Sequence, residues 1–313
     1  MPGEQTQLPS IVLGDLWDVH SPVERTNRGV SRATWKVQQG FWLTCCYPER
    51  GVEFRKECDL LRALGDTVTA HPELLLTVPS LVPTRSGDVV PTHSRFLWRL
   101  TRHLDGFHPP ANDPATYDLM VNILVRLHQA FDFSSTEGAD YPNILQRVCD
   151  RIRVLPHTLS GPSFEQHERD TLHEAANWLS LRLDRLAALP ARVVHGDWTP
   201  SNVLIRRDGW VGILDFEECR LGPAVLDFAN ICSTLLMWSG LDNISERMGA
   251  LVRSIGEKSA VPIGPEIVHI AMLAHWFGQY SEWRERELTP ENNEVVRRLV
   301  GRIETVLKFV RAE

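Results

Sequence analysis

Several things are scarce or missing in this chain, and each shortage excludes a class of function. None of its 313 residues belongs to an apolar run of eighteen or more, so no segment reads as a membrane-spanning helix. Met1 to Ser10 is polar and carries two prolines, without the charged-then-apolar pattern of a secretion signal; a soluble, unexported, cytoplasmic protein is expected. Basic charge is short as well. The 33 Lys and Arg against 40 Asp and Glu leave a net charge of -7, which argues against a nucleic-acid partner. Six cysteines (Cys45, Cys46, Cys58, Cys149, Cys219 and Cys232) form no CxxC pair and no metal-ligand spacing, so they read as reduced thiols in core or strand. Internal repeats and low-complexity tracts are also missing. With 43% apolar and 23% charged residues, the chain is an ordinary globular one, long enough for two lobes.

What the sequence does contain is concentrated between residues 195 and 216. The run His195-Gly196-Asp197-Trp198-Thr199-Pro200-Ser201-Asn202 places an Asp five residues before an Asn, and Ile213-Leu214-Asp215-Phe216 places a second Asp in a short apolar strand. Between them, residues 203–214 read as strand, Asp208-Gly209 turn, strand, a hairpin able to bring Asn202 and Asp215 together. Phosphoryl transfer wants this set of residues: a carboxylate to accept a hydroxyl's proton, and an amide and a second carboxylate to hold the metal that bridges the nucleotide phosphates.

The segment from His195 to Pro223, with Leu226-Asp227-Phe228-Ala229 after it, resembles the aminoglycoside phosphotransferase and choline kinase superfamily. That resemblance implies an α+β, bilobal protein-kinase-like fold. It would have a small antiparallel N-lobe with one main helix over 1–100, for the nucleotide, and a larger, mostly helical C-lobe over 101–313, for the catalytic loop and the acceptor. It further implies transfer of the γ-phosphoryl group of ATP, or GTP, to a hydroxyl with Mg2+. Asp197 would be the catalytic base and Asn202 and Asp215 the metal ligands. His195 and Asp227 would support the loop.

In the N-terminal half, Arg28 to Val37 and Phe41 to Tyr47 read as two antiparallel strands, with Gly29, Ser31 and Arg32 in the loop that would cover the phosphates. Gly51 to Leu64 has apolar residues three and four apart and reads as a helix, and its Glu57 matches the family's helix Glu. The strand Lys that should pair with that Glu is replaced by Thr44. A cation from Arg32, or from Lys36 on the first strand, is expected in its place. The family's hinge, whose backbone holds adenine, falls at Arg99, Leu100 and Thr101.

In the C-terminal half, Tyr117 to Phe133, residues 163–190 and the chain after Asp227 read as helices, the last broken near Ser239-Gly240, Pro262 to Pro265 and Pro290. His128 reads as a packed or hydrogen-bonded structural residue. Trp276, Tyr280 and Trp283 fall on one helical face, a stripe that fits either core packing or, with Glu218, an acceptor site for a cationic ring. Acceptors in the family's range are an antibiotic or metabolite hydroxyl, or a Ser or Thr of a natural-product precursor peptide, the last implying a partner protein in a peptide-modifying complex. The alternative is a non-catalytic pseudokinase that binds a partner, and Thr44 is its only support.

Overall fold

A computed structural model describes residues 4–26, 32–134, 141–158, 165–238, 244–259, 263–285 and 290–312. By its internal contacts the chain forms two compact units: residues 1–108, 130–139 and 202–217, and residues 109–129, 140–201 and 218–313. The segment holding Asn202 and Asp215 thus groups with the N-terminal residues, outside a contiguous division at residue 100.

The first unit is built on a five-stranded antiparallel sheet. It begins with helix α1 (Glu4–Trp17), followed by β1 (Val23–Thr26), β2 (Ala33–Val37) and β3 (Phe41–Cys46). Helix α2 (Gly51–Ala70) comes next, then β4 (Leu76–Thr77), β5 (Thr92–His93) and β6 (Phe96–Arg102). The sheet order is β1-β2-β3-β6-β5. Alternation along the strands decides what each face carries. Trp35, Val37, Leu43, Cys45, Trp98 and Leu100 form one face and pack against Val12, Leu13 and Trp17 of α1. Cys46 and Leu97 belong to the opposite face and pack against Phe54 and Cys58 of α2.

The two antiparallel strands expected here are β2 and β3, although residues 27–31, including Gly29 and Ser31, lie outside the described residues. Helix α2 runs six residues past the expected end at Leu64. Neither α1 nor β1 is evident from the sequence pattern, α1 because Pro9 sits inside it and interrupts the helical hydrogen bonds. A smaller sheet completes this unit: β8 (Val203–Ile205) and β9 (Val211–Ile213) pair antiparallel, and β4 pairs parallel with β9.

The second unit is largely helical. It contains α3 (Pro114–Phe133) as far as Gln129, α4 (Ile144–Thr158), α5 (Gln166–Ser180) and α6 (Leu183–Ala187), and a two-stranded ribbon in which β7 (Ala191–Val194) pairs antiparallel with β10 (Arg220–Pro223). The long helix expected over 163–190 is broken at Leu181-Arg182. Past the ribbon come α7 (Val225–Trp238), α8 (Ile244–Lys258), α9 (Pro265–Glu285) and α10 (Pro290–Ala312), the last two with Pro in the first turn. Helix α9 packs against α7, α10 and α4, and its residues from Val268 to Phe277 are buried. Among the described residues, no helix is long and apolar enough to cross a membrane. All six cysteines are free thiols, five of them buried, and Cys149 is half-buried.

Candidate active site

The residues expected to carry chemistry fall into three groups. In the first unit, the β8–β9 hairpin turns through Asp208-Gly209, where Gly209 takes the left-handed conformation at φ +86°. Its open end joins Asn202 to the segment before Asp215: the Leu214 amide donates to the Asn202 carbonyl at 2.9 Å. Asn202 is buried, whereas Asp215 is exposed. Asp215 has φ +59°, a left-handed backbone that costs a non-glycine residue strain and is typical of functional positions. An amide oxygen and a carboxylate are hard-oxygen donors suited to Mg2+, which is held by one or two protein groups together with substrate phosphates. Among the described residues, no cluster of three or more His, Cys, Asp or Glu gathers as a metal cage.

A second group, also in the first unit, is an ionic cluster under the sheet. Glu57 of α2 is buried and receives two guanidinium groups, Arg32 at one carboxylate oxygen and Arg99 at the other, the latter at 2.8 Å. Arg32 continues to Glu217 at 3.5 Å, and Glu217 also faces Arg50 at 3.6 Å. Both Arg32 and Arg99 lie over the Phe54 ring, at 4.9 and 5.0 Å. Burial alone would raise the Glu57 carboxyl; the charges of Arg99 and Arg32 and their hydrogen bonds outweigh it and hold the group below its ordinary range. For Arg99, burial pulls the guanidinium down, and the Glu57 charge more than reverses that.

Two further expectations concern this unit. Lys36 is exposed on β2 between the buried Trp35 and Val37, so its side chain is on the sheet face that carries Thr34, Thr44 and Arg99; among the described residues it makes no ion pair with Glu57. The expected hinge is Arg99 to Thr101. These residues lie inside β6, in register with Thr44, Leu43 and Trp42 of β3, and the Leu100 carbonyl accepts the Val82 amide at 2.8 Å. Strand pairing therefore engages that backbone on both edges, and the strand ends only at Arg102.

The third group belongs to the second unit. Asp227, on the first turn of α7, is fully buried and accepts from His128 Nε2 at 2.9 Å and from the His195 and Gly196 amides, each at 2.8 Å. Asn230, on the same helix, donates to the Gly196 carbonyl at 3.1 Å. Burial would raise the Asp227 carboxyl, but His128, His195 and the Gly196 amide hold it low. His195 meets Trp198 edge-on at 5.3 Å, and the Trp198 indole donates to the Met120 carbonyl at 3.3 Å. Gly196 has φ +81°, and a Cβ there would collide with the Glu218 carbonyl. The turn that presents Asp197 is thus held on both sides and requires glycine at its second position.

The aromatic stripe is not an open face. Trp276 and Tyr280 are buried, as the core-packing reading of the stripe has it, and Arg302 of α10 lies 4.5 Å over the Trp276 ring. The side chain of Trp283 lies outside the described residues. Glu218 is engaged by Arg220. Arg302, which the sequence pattern did not single out, interacts electrostatically with Asp197.

The sequence pattern of the phosphotransferase enzyme family matches residues 23–251, most of the chain and all three groups of residues. The chain belongs to this phosphotransferase enzyme family. It is therefore a phosphotransferase in the class expected from His195 to Pro223. No curated protein sequence matches it significantly. Among solved structures it is similar to a microcompartment-associated aminopropanol kinase, with 16% identity over 96% of this chain and 94% of that one and a TM-score of 0.69. It is similar too to the amicoumacin kinase hAmiN in complex with AMP-PNP, Ca2+ and Ami, at 14% identity over 96% and 93% with a TM-score of 0.69. The GDP and kanamycin complex of APH(2")-IIia gives 15% identity over 96% and 98%, with a TM-score of 0.70. At such identities the likeness speaks for the fold, which is the α+β, protein-kinase-like one expected.

Proposed function

We propose that this phosphotransferase moves the γ-phosphoryl group of ATP, or GTP, to a hydroxyl, with Mg2+ at Asn202 and Asp215. The observation that carries the reading is the hairpin end, where an exposed Asp215 with a strained backbone stands next to Asn202. Mg2+ bound there would offset the charge of the phosphate oxygens. Asp197 would orient the acceptor and take its proton as the acceptor oxygen bonds to the γ-phosphorus, while the bond from that phosphorus to the β–γ bridging oxygen breaks and the nucleoside diphosphate leaves with the electron pair. Arg32 would supply the phosphate-facing cation that Thr44 cannot. His195 and Asp227 would act through the loop they hold. Because Arg302 already covers the Trp276 ring, aromatic caging of a cationic antibiotic has no support from that face. Hydroxyl metabolites and Ser or Thr peptides both belong in the acceptor screen.

The test is calorimetric titration of Mg-ATP into the protein, with slow nucleoside diphosphate release assayed on the same sample. Binding is expected, with release lost in Asp197→Ala and Asp215→Asn. Near-normal turnover in Asp215→Asn sinks the metal assignment, and no binding of any Mg-nucleotide by the wild-type protein sinks the reading as a whole.

A further inference from the structure

We infer that Arg99, on β6, performs the helix-anchoring task of the strand lysine missing at Thr44, leaving Arg32 to serve as the phosphate-facing cation. The second half of this assignment rests on the phosphotransfer reading above. The first half is independent of it.

Thr44 and Arg99 are register partners on adjacent antiparallel strands. Direct partners project from the same face of a sheet, from strands about 4.8 Å apart. A cation starting at Arg99 therefore begins one strand away from where a lysine at 44 would begin, on the face that α2 covers. The guanidinium is long enough to bridge that offset, and its Nη1 lies 2.8 Å from Glu57 Oε1. Its other side-chain partner is Cys58 Sγ at 3.9 Å, so both contacts are with α2. Arg99 ties the helix to the sheet.

Arg32 differs in direction. It holds the second Glu57 oxygen but also faces Glu217, two residues beyond Asp215. Thus one lysine's two tasks, pairing with the helix carboxylate and facing phosphate, are divided between two arginines that share Glu57. The side chains of all three residues are largely buried, at 7%, 13% and 4% exposure for Arg32, Arg99 and Glu57, so the pairing is poorly screened by solvent. The Nε atom of Arg99 is buried without a hydrogen-bond partner, whereas that of Arg32 lies 3.5 Å from Glu217. Each Glu57 oxygen has its own partner, so loss of Arg99 leaves the carboxylate paired with Arg32 alone.

Two readouts test this on the full-length protein: amide exchange of α2 without nucleotide, and calorimetric affinity for Mg-ATP. Arg99→Met is expected to speed exchange around Glu57 and to weaken Mg-ATP, each by roughly tenfold or more. Adding Thr44→Lys to that variant should return both toward wild type, because a lysine there reaches Glu57 from the neighbouring strand. Wild-type exchange in Arg99→Met, or no recovery on adding Thr44→Lys, overturns the anchoring role. If Arg99→Met does not fold, Arg99→Lys is used, which keeps the charge but loses the two-pronged donor; a smaller rise in exchange is expected, and unchanged exchange overturns the inference. Failure of the wild-type protein to bind Mg-ATP would sink the phosphotransfer reading, while the exchange measurement would still decide the role of Arg99.

Discussion

Gly196 shows what one position can require. Its φ of +81° lies where a side chain is strained, and the space a Cβ would take belongs to the Glu218 carbonyl. Gly196→Ala must shift the turn between His195 and Asp197, and displacements of about 1 Å near a reacting group cost about 100-fold in rate. We expect kcat to fall by about that factor with the KM for nucleotide little changed, as measured by steady-state kinetics once an acceptor is found. An equal rise in KM would show that the glycine serves nucleotide binding. The same scale shows how far sequence reading reaches. Asp197, Asn202 and Asp215 are legible because their spacing along the chain is itself the signature. Arg99 is not: 55 positions separate it from Thr44, and only strand register makes the two neighbours.

Among the elements, α7 does most to fix the turn from His195 to Asp197. Its first turn carries Asp227 beneath the loop, and Asn230, one turn on, takes the Gly196 carbonyl. The placement was foreseeable from the apolar run around Asp227, but its partners were not, since His128 comes from α3, 99 residues away. Helices α7 to α10 were legible from their Gly and Pro breaks. Helix α1 was hidden by Pro9, and β4 by being two residues long with its pairing supplied by distant β9. Asp227→Ala would leave His128 Nε2 and the His195 and Gly196 amides without their acceptor in a fully buried place. Orphaning buried donors and removing a buried charge costs about 3 kcal/mol or more. The variant should show a lower urea midpoint and lose turnover together. Asp227→Asn, which keeps an acceptor oxygen, should recover part of the stability; if it is no more stable than Asp227→Ala, the charge matters more than the hydrogen bonds.

For the whole molecule, buried ionisable groups make stability depend on pH in two stages. His275 lies buried in α9, and burial, with help from Arg220 and Arg302, pushes its imidazole down to about 4 against the opposing pull of Asp227. Its folded value lies below its unfolded value of about 6.5, so the unfolded chain binds the proton more readily between the two. The stability that neutral His275 contributes is therefore complete above about pH 6.5 and declines as pH falls toward 4, by at most roughly 3 kcal/mol. Glu57 and Asp227 act lower on the scale. Both are held below their ordinary values, so what they contribute is intact above about pH 4 to 4.5 and is lost only as pH falls further, through their folded values. Urea midpoints measured from pH 8 to pH 3 should thus fall first gently and then steeply. His275→Gln, neutral throughout, should flatten the range from 6.5 to 4.5 while leaving the steep acid limb in place. An unaltered slope in that range would assign it to other histidines, and loss of the acid limb would mean that the substitution had disturbed the packing around Asp227 as well.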